Sequence, residues 1–219
     1  MKRLIIFDFD GTLVDTLTDV ALCFNEALRR SGFPQHPLEA FSGFVGGNLE
    51  TVVSRMLPPD QCVENNICRV KNIYRELYLA SSKPNTKPYP GIMELLQQLK
   101  RQGYTLAINS NKGQLLLDDM VAKMFPPQFF DAVIGYQENL PSKPSPDGVY
   151  RICKICSLPL EQAIYVGDGA SDIATAANAG IPCLFVLWGQ GTENDRKDTR
   201  VYQYVRTTED LQALLTKKE

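Results

Sequence analysis

Through the second half of the chain, short β-branched runs alternate with helical stretches: Tyr104 to Asn109 then 113–124, Ala132 to Gly135 then 146–157, Ile164 to Val166 then 171–179, and finally Cys183 to Leu187. Strands separated by helices cannot close as hairpins, so this rhythm demands a parallel sheet covered by helices on both faces. Near the start, Leu4-Ile5-Ile6-Phe7 is a continuous apolar run, the mark of a central parallel strand buried on both sides rather than a half-exposed one. The expected class is α/β, a doubly wound, Rossmann-like parallel sheet, and the C-terminal helix at 209–216 is expected to cover a sheet edge.

Between Asp15 and Tyr89 the strand signal gives way to helical patterns at 17–31, 48–57 and 61–82, interrupted by Gly32, Gly43, Gly46, Gly47 and Pro58-Pro59. This reads as an all-helical insertion, residues 15–89, into a core made of 1–14 and 90–219. Its return, 83–91, carries Pro84, Pro88 and Pro90 and predicts a stiff, extended connector suited to a hinge.

The charge balance, Lys+Arg 23 against Asp+Glu 25 for a net −2, leaves no basic surplus for nucleic acid and no polybasic membrane patch. A small polar ligand fits better. The N-terminal apolar run is too short for a signal-peptide core or a membrane span. Six scattered cysteines without any Asn-x-Ser/Thr acceptor point to a reducing, cytoplasmic setting. Cys153 and Cys156 are one turn apart on a helical stretch and lack the further ligands of a zinc site, while His36 reads as a surface histidine in a loop.

Chemistry concentrates at strand ends. Asp8-Phe9-Asp10-Gly11-Thr12 follows the first strand directly, placing two carboxylates toward one crevice. Ser110-Asn111 ends the second strand, Ser142-Lys143-Pro144 follows the third, and Gly167-Asp168-Gly169-Ala170-Ser171-Asp172 ends the fourth. In an open doubly wound sheet these carboxyl ends meet, so residues from 8 to 172 can converge on one ligand. Taken singly, each has an ordinary reading: Ser110 as a turn former, Lys143 as a solvated lysine, Asp172 as the acid in the first turn of an Ala-rich helix capped by Ser171. Asp168 is harder to dismiss, because a carboxylate directly after a buried strand needs a partner. Gly167-x-Gly169 opens like a dinucleotide fingerprint, yet position 172 is Asp where a glycine belongs, and no Gly-x4-Gly-Lys-Ser/Thr run occurs.

These four boxes, in this order, resemble the haloacid dehalogenase superfamily of phosphatases, and the helical segment resembles that family's cap. The resemblance implies a phosphatase in which Asp8 is the nucleophile and Asp10 the general acid and then base, its proton affinity raised by carboxylate neighbours. It implies Mg2+ as cofactor, held by Asp8, the Asp10 main-chain carbonyl and Asp168 with Asp172 nearby, and phosphoryl oxygens held by Ser110, Asn111 and Lys143. Such a division suits the chemistry: a phospho-aspartate splits one difficult displacement into two easier ones, and a cation offsets the repulsion between carboxylates and a phosphate dianion.

Phe44-Val45-Gly46-Gly47-Asn48 is similar to the cap loop of phosphoglycolate phosphatases, and Leu187-Trp188-Gly189-Gln190-Gly191 resembles their segment after the fifth strand. Gly46 and Gly47 are therefore either substrate contacts or simply the break between two cap helices. The partner expected is a small phosphorylated metabolite such as 2-phosphoglycolate, acted on by a monomer or homodimer. Two other readings share the core boxes: a sugar phosphomutase of the beta-phosphoglucomutase kind, and a non-catalytic phosphate-binding protein.

Overall fold

A computed structural model describes residues 3–216, and the outermost residues of the expected core segment lie outside that range. In chain order the elements are β1 (Leu4–Phe7), β2 (Val14–Asp15), α1 (Leu17–Arg30), α2 (Phe41–Phe44), α3 (Leu49–Met56), α4 (Glu64–Ala80), β3 (Lys87–Pro88), α5 (Ile92–Arg101), β4 (Thr105–Gly113), α6 (Gln114–Met124), β5 (Ala132–Tyr136), α7 (Asp147–Cys156), β6 (Ala163–Gly167), α8 (Ala170–Ala179), β7 (Cys183–Val186), β8 (Gln203–Val205) and α9 (Thr208–Thr216).

Six strands form one parallel sheet in the order β5-β4-β1-β6-β7-β8. β1 lies inside it, with Phe7 beside Ile108 on one side and Val166 on the other. All four β1 side chains are fully buried, and they alternate between two cores. Ile5 and Phe7 face α5, α6 and α9 through Leu96, Leu99, Leu117 and Leu211; Leu4 and Ile6 face α7 and α8 through Val149, Ile152, Ile173 and Ala176. Each such side chain contributes about 1.5–3 kcal/mol on burial, so a polar replacement in β1 would disrupt the core on the one face it points to. The sheet is doubly wound, as the alternation of strands and helices requires.

Helices α1 to α4 run between the two strands of a small antiparallel ribbon, in which Val14 pairs with Pro88 and Asp15 with Lys87. The connector is thus paired rather than a lone stiff segment. α1 buries Val20, Ala21, Phe24, Ala27 and Leu28, a stripe one helical face wide, against Val70, Tyr74 and Tyr78 of α4. Phe24 and Tyr74 stack with ring centroids 3.7 Å apart. Their apolar cluster continues through Leu13 and Val14 into the α5 side of the sheet.

Several boundaries differ from the sequence expectation. The helix expected at 61–82 is Glu64–Ala80, and that at 48–57 is Leu49–Met56, which starts after Asn48 caps the Thr51 amide. Strand β4 runs on past Asn109 to Gly113 through an irregular register, so Ser110 and Asn111 lie within a strand end rather than beyond it. β8 had no counterpart in the sequence pattern; α9 seats Leu211 and Leu215 in the core and packs on α5 and this edge strand. His36 is no free surface residue: its Nε2–H donates to Met56 O at 2.8 Å and its ring meets Phe44 edge-on, pinning the loop before α2 to the end of α3. Cys153 and Cys156 sit half-buried on α7 with free thiols, packed against the second core.

Candidate active site

Beyond the carboxyl end of β1, Asp8 is 8% exposed, and its Oδ1 accepts the Phe9 amide (2.7 Å) and the Lys143 ammonium (2.8 Å). Lys143 reaches the same place from the loop between β5 and α7 and binds Asp172 Oδ1 as well, at 2.7 Å. Its side chain is 3% exposed, so it is an interior cation rather than a solvated loop lysine. Asn111 explains how it is held: the Asn111 Oδ1 accepts the Lys143 amide (2.8 Å) and the Asn111 Nδ2 donates to the Lys143 carbonyl (3.2 Å). Both ends of the Asn111 amide are used on the Lys143 main chain, a positioning contact that the sequence reading did not foresee.

The end of β6 supplies Asp168 and the first turn of α8 supplies Asp172. Asp172 Oδ2 accepts the amides of Asp168 (3.2 Å) and Gly169 (3.1 Å), so it caps its own helix while its other oxygen binds Lys143. Asp168 accepts Thr12 Oγ1 at 2.8 Å and the Gln190 amide at 2.7 Å. Its carboxylate is walled in by two glycines: a Cβ at Gly11, which has φ +81°, or at Gly189 would overlap it. Trp188 Nε1–H donates to Thr12 O at 3.0 Å, tying the 187–191 segment to the first loop.

Asp8, Asp168 and Asp172 offer carboxylate oxygens that all lie within 4.8 Å of one another. At that spacing each ionised pair repels by about 3 kcal/mol or more, taking an effective dielectric constant of about 20. Lys143 answers only part of this. Burial, and then the neighbouring Asp172 carboxylate, push Asp8 well above the usual carboxylate range and Asp168 up to about 7. For Lys143, burial acts against the charge, but the Asp172 and Asp8 carboxylates outweigh it and hold the ammonium well above its ordinary value. An acid cluster with too little positive charge and hard oxygen donors fits a divalent cation such as Mg2+.

Asp10 lies two residues on and is less enclosed, its side chain 34% exposed. Its Oδ1 accepts Thr16 Oγ1 at 2.7 Å and pairs with Lys112 Nζ at 3.1 Å. The sequence reading expected carboxylate neighbours here; the charged group in contact is a cation. Lys112 was missed, although it directly follows Ser110-Asn111 and a lysine at the end of a buried strand needs an anion. Its side chain, 6% exposed, rests on the Tyr78 ring with the ammonium 4.8 Å from the centroid. Ser110 is buried, its Oγ accepting the Lys112 amide at 3.2 Å.

The structure brings neither of the expected cap residues, Gly46 and Gly47, to the lining of the crevice. This crevice, of about 190 Å³ between the helical insertion and the 189–196 segment, is lined on the helical side by Ser42 and Gly43, not by Gly46 and Gly47. Those two glycines, at φ +98° and +93°, form a turn whose Gly46 carbonyl accepts Arg55 at 2.9 Å.

Over residues 5–186 the sequence matches the haloacid dehalogenase-like hydrolases. The chain belongs to that family. Among its relatives, the phosphoglycolate phosphatase of Aquifex aeolicus is 32% identical over 187 residues, covering 85% of each chain. That of Pseudomonas savastanoi pv. phaseolicola is 30% identical over 86% of this chain and 71% of its own. A crystal structure of a candidate phosphoglycolate phosphatase from Lactobacillus delbrueckii subsp. bulgaricus superposes with a TM-score of 0.92 at 26% identity, over 98% of this chain and 99% of that one. As a haloacid dehalogenase-like hydrolase, the chain carries its acids at the strand ends where the sequence boxes put them. No described helix is long and apolar enough to cross a membrane.

Proposed function

We propose that this hydrolase is an Mg2+-dependent phosphatase that cleaves a small phosphomonoester through a phospho-aspartate at Asp8, with a phosphorylated two-carbon acid of the phosphoglycolate type as substrate. Residues 1–14 and 90–219 serve as the catalytic core and 15–89 as its cap. The observation that carries this reading is the cluster itself: Lys143 joins Asp8 to Asp172 inside three mutually close carboxylates, with Asp10 beside them on separate partners.

In this mechanism the Phe9 amide and Lys143 fix the Asp8 carboxylate for attack on phosphorus. The bond from phosphorus to the leaving oxygen breaks as Asp10 gives that oxygen a proton. Asp10, now a carboxylate, takes a proton from water; the hydroxide attacks phosphorus, phosphate leaves and Asp8 is restored. Lys143 and the Ser110 hydroxyl hold phosphoryl oxygens, and Asn111 keeps Lys143 in place. Asp8, Asp168 and the Asp10 main-chain carbonyl would hold Mg2+, with Asp172 on the outer side because its oxygens already serve Lys143 and two amides. When bound, the cation supplies the positive charge that lets a phosphate dianion approach a carboxylate.

Phosphate release from 2-phosphoglycolate with Mg2+ tests this, with the Asp8→Asn variant as control. We expect turnover by the wild type and a loss of at least a thousandfold in the variant. Undiminished Asp8→Asn activity would rule the mechanism out, and conversion of a hexose 1-phosphate to its 6-phosphate without free phosphate would make the chain a mutase instead.

A further inference from the structure

Beside the acid cluster lies a second charged neighbourhood with the opposite imbalance. Lys112 Nζ and Lys83 Nζ stand 4.8 and 4.9 Å from the centroid of the same Tyr78 ring, one brought by the end of β4 and the other by the segment after α4. Lys112 has one carboxylate partner, Asp10, whose same oxygen also takes the Thr16 hydroxyl. Among the described residues Lys83 forms no ion pair, its ammonium donating to the Ser81 carbonyl at 2.9 Å. Of the other acids nearby, Asp19 has both oxygens engaged by the Asn85 amide, Asn85 Nδ2 and Thr86 Oγ1, and Asp119 is paired with Lys123 at 2.7 Å. Around the Tyr78 ring two ammoniums thus stand with one carboxylate, Asp10, paired to either of them.

Tyr78 adds a second sign. Its side chain is 1% exposed, and its hydroxyl completes no well-formed hydrogen bond, with the Lys112 ammonium as its polar neighbour. An ammonium has three donors; Lys112 spends one on Asp10 and turns a second toward the Tyr78 hydroxyl, which leaves one over. The spare ammonium donor from the core and the Tyr78 hydroxyl from the helical insertion thus lie side by side, next to the one-third-exposed Asp10 side chain.

We propose that Lys112 and the Tyr78 hydroxyl form the subsite for a carboxylate on the leaving group, with Lys83 adding positive charge behind the ring. The inference rests on the phosphatase reading above and deepens it by assigning the residues that select the substrate. Distance favours a short acid: Asp10 must touch the leaving oxygen, and a carboxylate carbon two bonds of about 1.5 Å beyond that oxygen would come to the Lys112 side of it. Since Tyr78 belongs to α4, a bound carboxylate would also join the helical insertion to the core, closing the crevice only for the acid it fits.

The test compares 2-phosphoglycolate with its uncharged amide, matched in length, as the ratio of their kcat/KM values with Mg2+. The wild type should favour the acid at least tenfold. Lys112→Met should lower that ratio at least tenfold and Tyr78→Phe at least threefold, while Lys112→Arg keeps most of it. A wild-type ratio near one, or an equal fall for both substrates in Lys112→Met, would overturn the subsite and leave Lys112 as a positioning residue for Asp10. If Lys112→Met does not fold, Tyr78→Phe and the wild-type ratio decide. If the wild type turns over neither compound, the phosphatase reading fails separately, and the subsite is judged by calorimetric binding of the two compounds with the same tenfold preference expected.

Discussion

Asp168 carries the electrostatic tension of the site in one side chain. It sits 4% exposed between two glycines, held by Thr12 and the Gln190 amide, yet burial and then Asp172 push it up to about 7 from an ordinary 3.8. A carboxyl whose folded value is raised gives stability that is present in full below its unfolded value and is lost as pH climbs through the folded one. The metal-free protein should therefore weaken between about pH 4 and pH 7, and Mg2+, the proposed ligand of the folded, ionised cluster, should recover that loss. Thermal unfolding with and without saturating Mg2+ checks this: the gain in Tm should be clearly larger at pH 8 than at pH 5, and equal gains at both would contradict it. The acids that share this tension, Asp8, Asp168 and Asp172, were legible in the sequence because a carboxylate straight after an apolar strand has few reasons to be there. Lys112 was not, since a lysine is ordinarily solvated and what encloses this one, the Tyr78 ring and the Asp10 carboxylate, comes from elements remote in sequence.

The helices and their connectors follow the same division between local pattern and remote contact. Amphipathic stripes gave α1, α3 and α4 to within a few residues, and the continuous apolar run gave β1. What could not be read were features fixed from outside the segment: the overrun of β4 to Gly113, set by pairing with Tyr136 of β5, and β8, three residues of which only Val205 is buried. The paired ribbon of β2 and β3 is a further case, and it is locked by Asp19 of α1, which is 2% exposed and accepts three hydrogen bonds from Asn85 and Thr86. Asp19→Ala removes a buried charged acceptor but leaves donors that water can reach, so the expected cost is about 2 kcal/mol rather than the sum of three bonds. Urea denaturation should show that loss with an unchanged m-value, and a variant as stable as the wild type would mean that the clasp does no mechanical work.

For the molecule as a whole, the sheet order explains how residues 8, 10, 110, 143, 168 and 172 come together: β5, β4, β1 and β6 are successive neighbours, and their carboxyl ends, with the loop after β5 that carries Lys143, open on one crevice. The helical insertion does not stand apart from this core, because its apolar cluster runs through Leu13 and Val14 into the face that carries α5 and α6. In the proposed mechanism chemistry and selection fall to different parts of one packed body, with the acids on the sheet and the Tyr78 hydroxyl on α4. The account as a whole turns on Asp8 forming a bond to phosphorus. Acid quenching during steady turnover of 2-phosphoglycolate, borohydride reduction of any acyl phosphate and peptide mass analysis measure that directly. The account predicts reduction to the alcohol at position 8 alone and only when substrate and Mg2+ are both present; sustained phosphate release with residue 8 unmodified would contradict it.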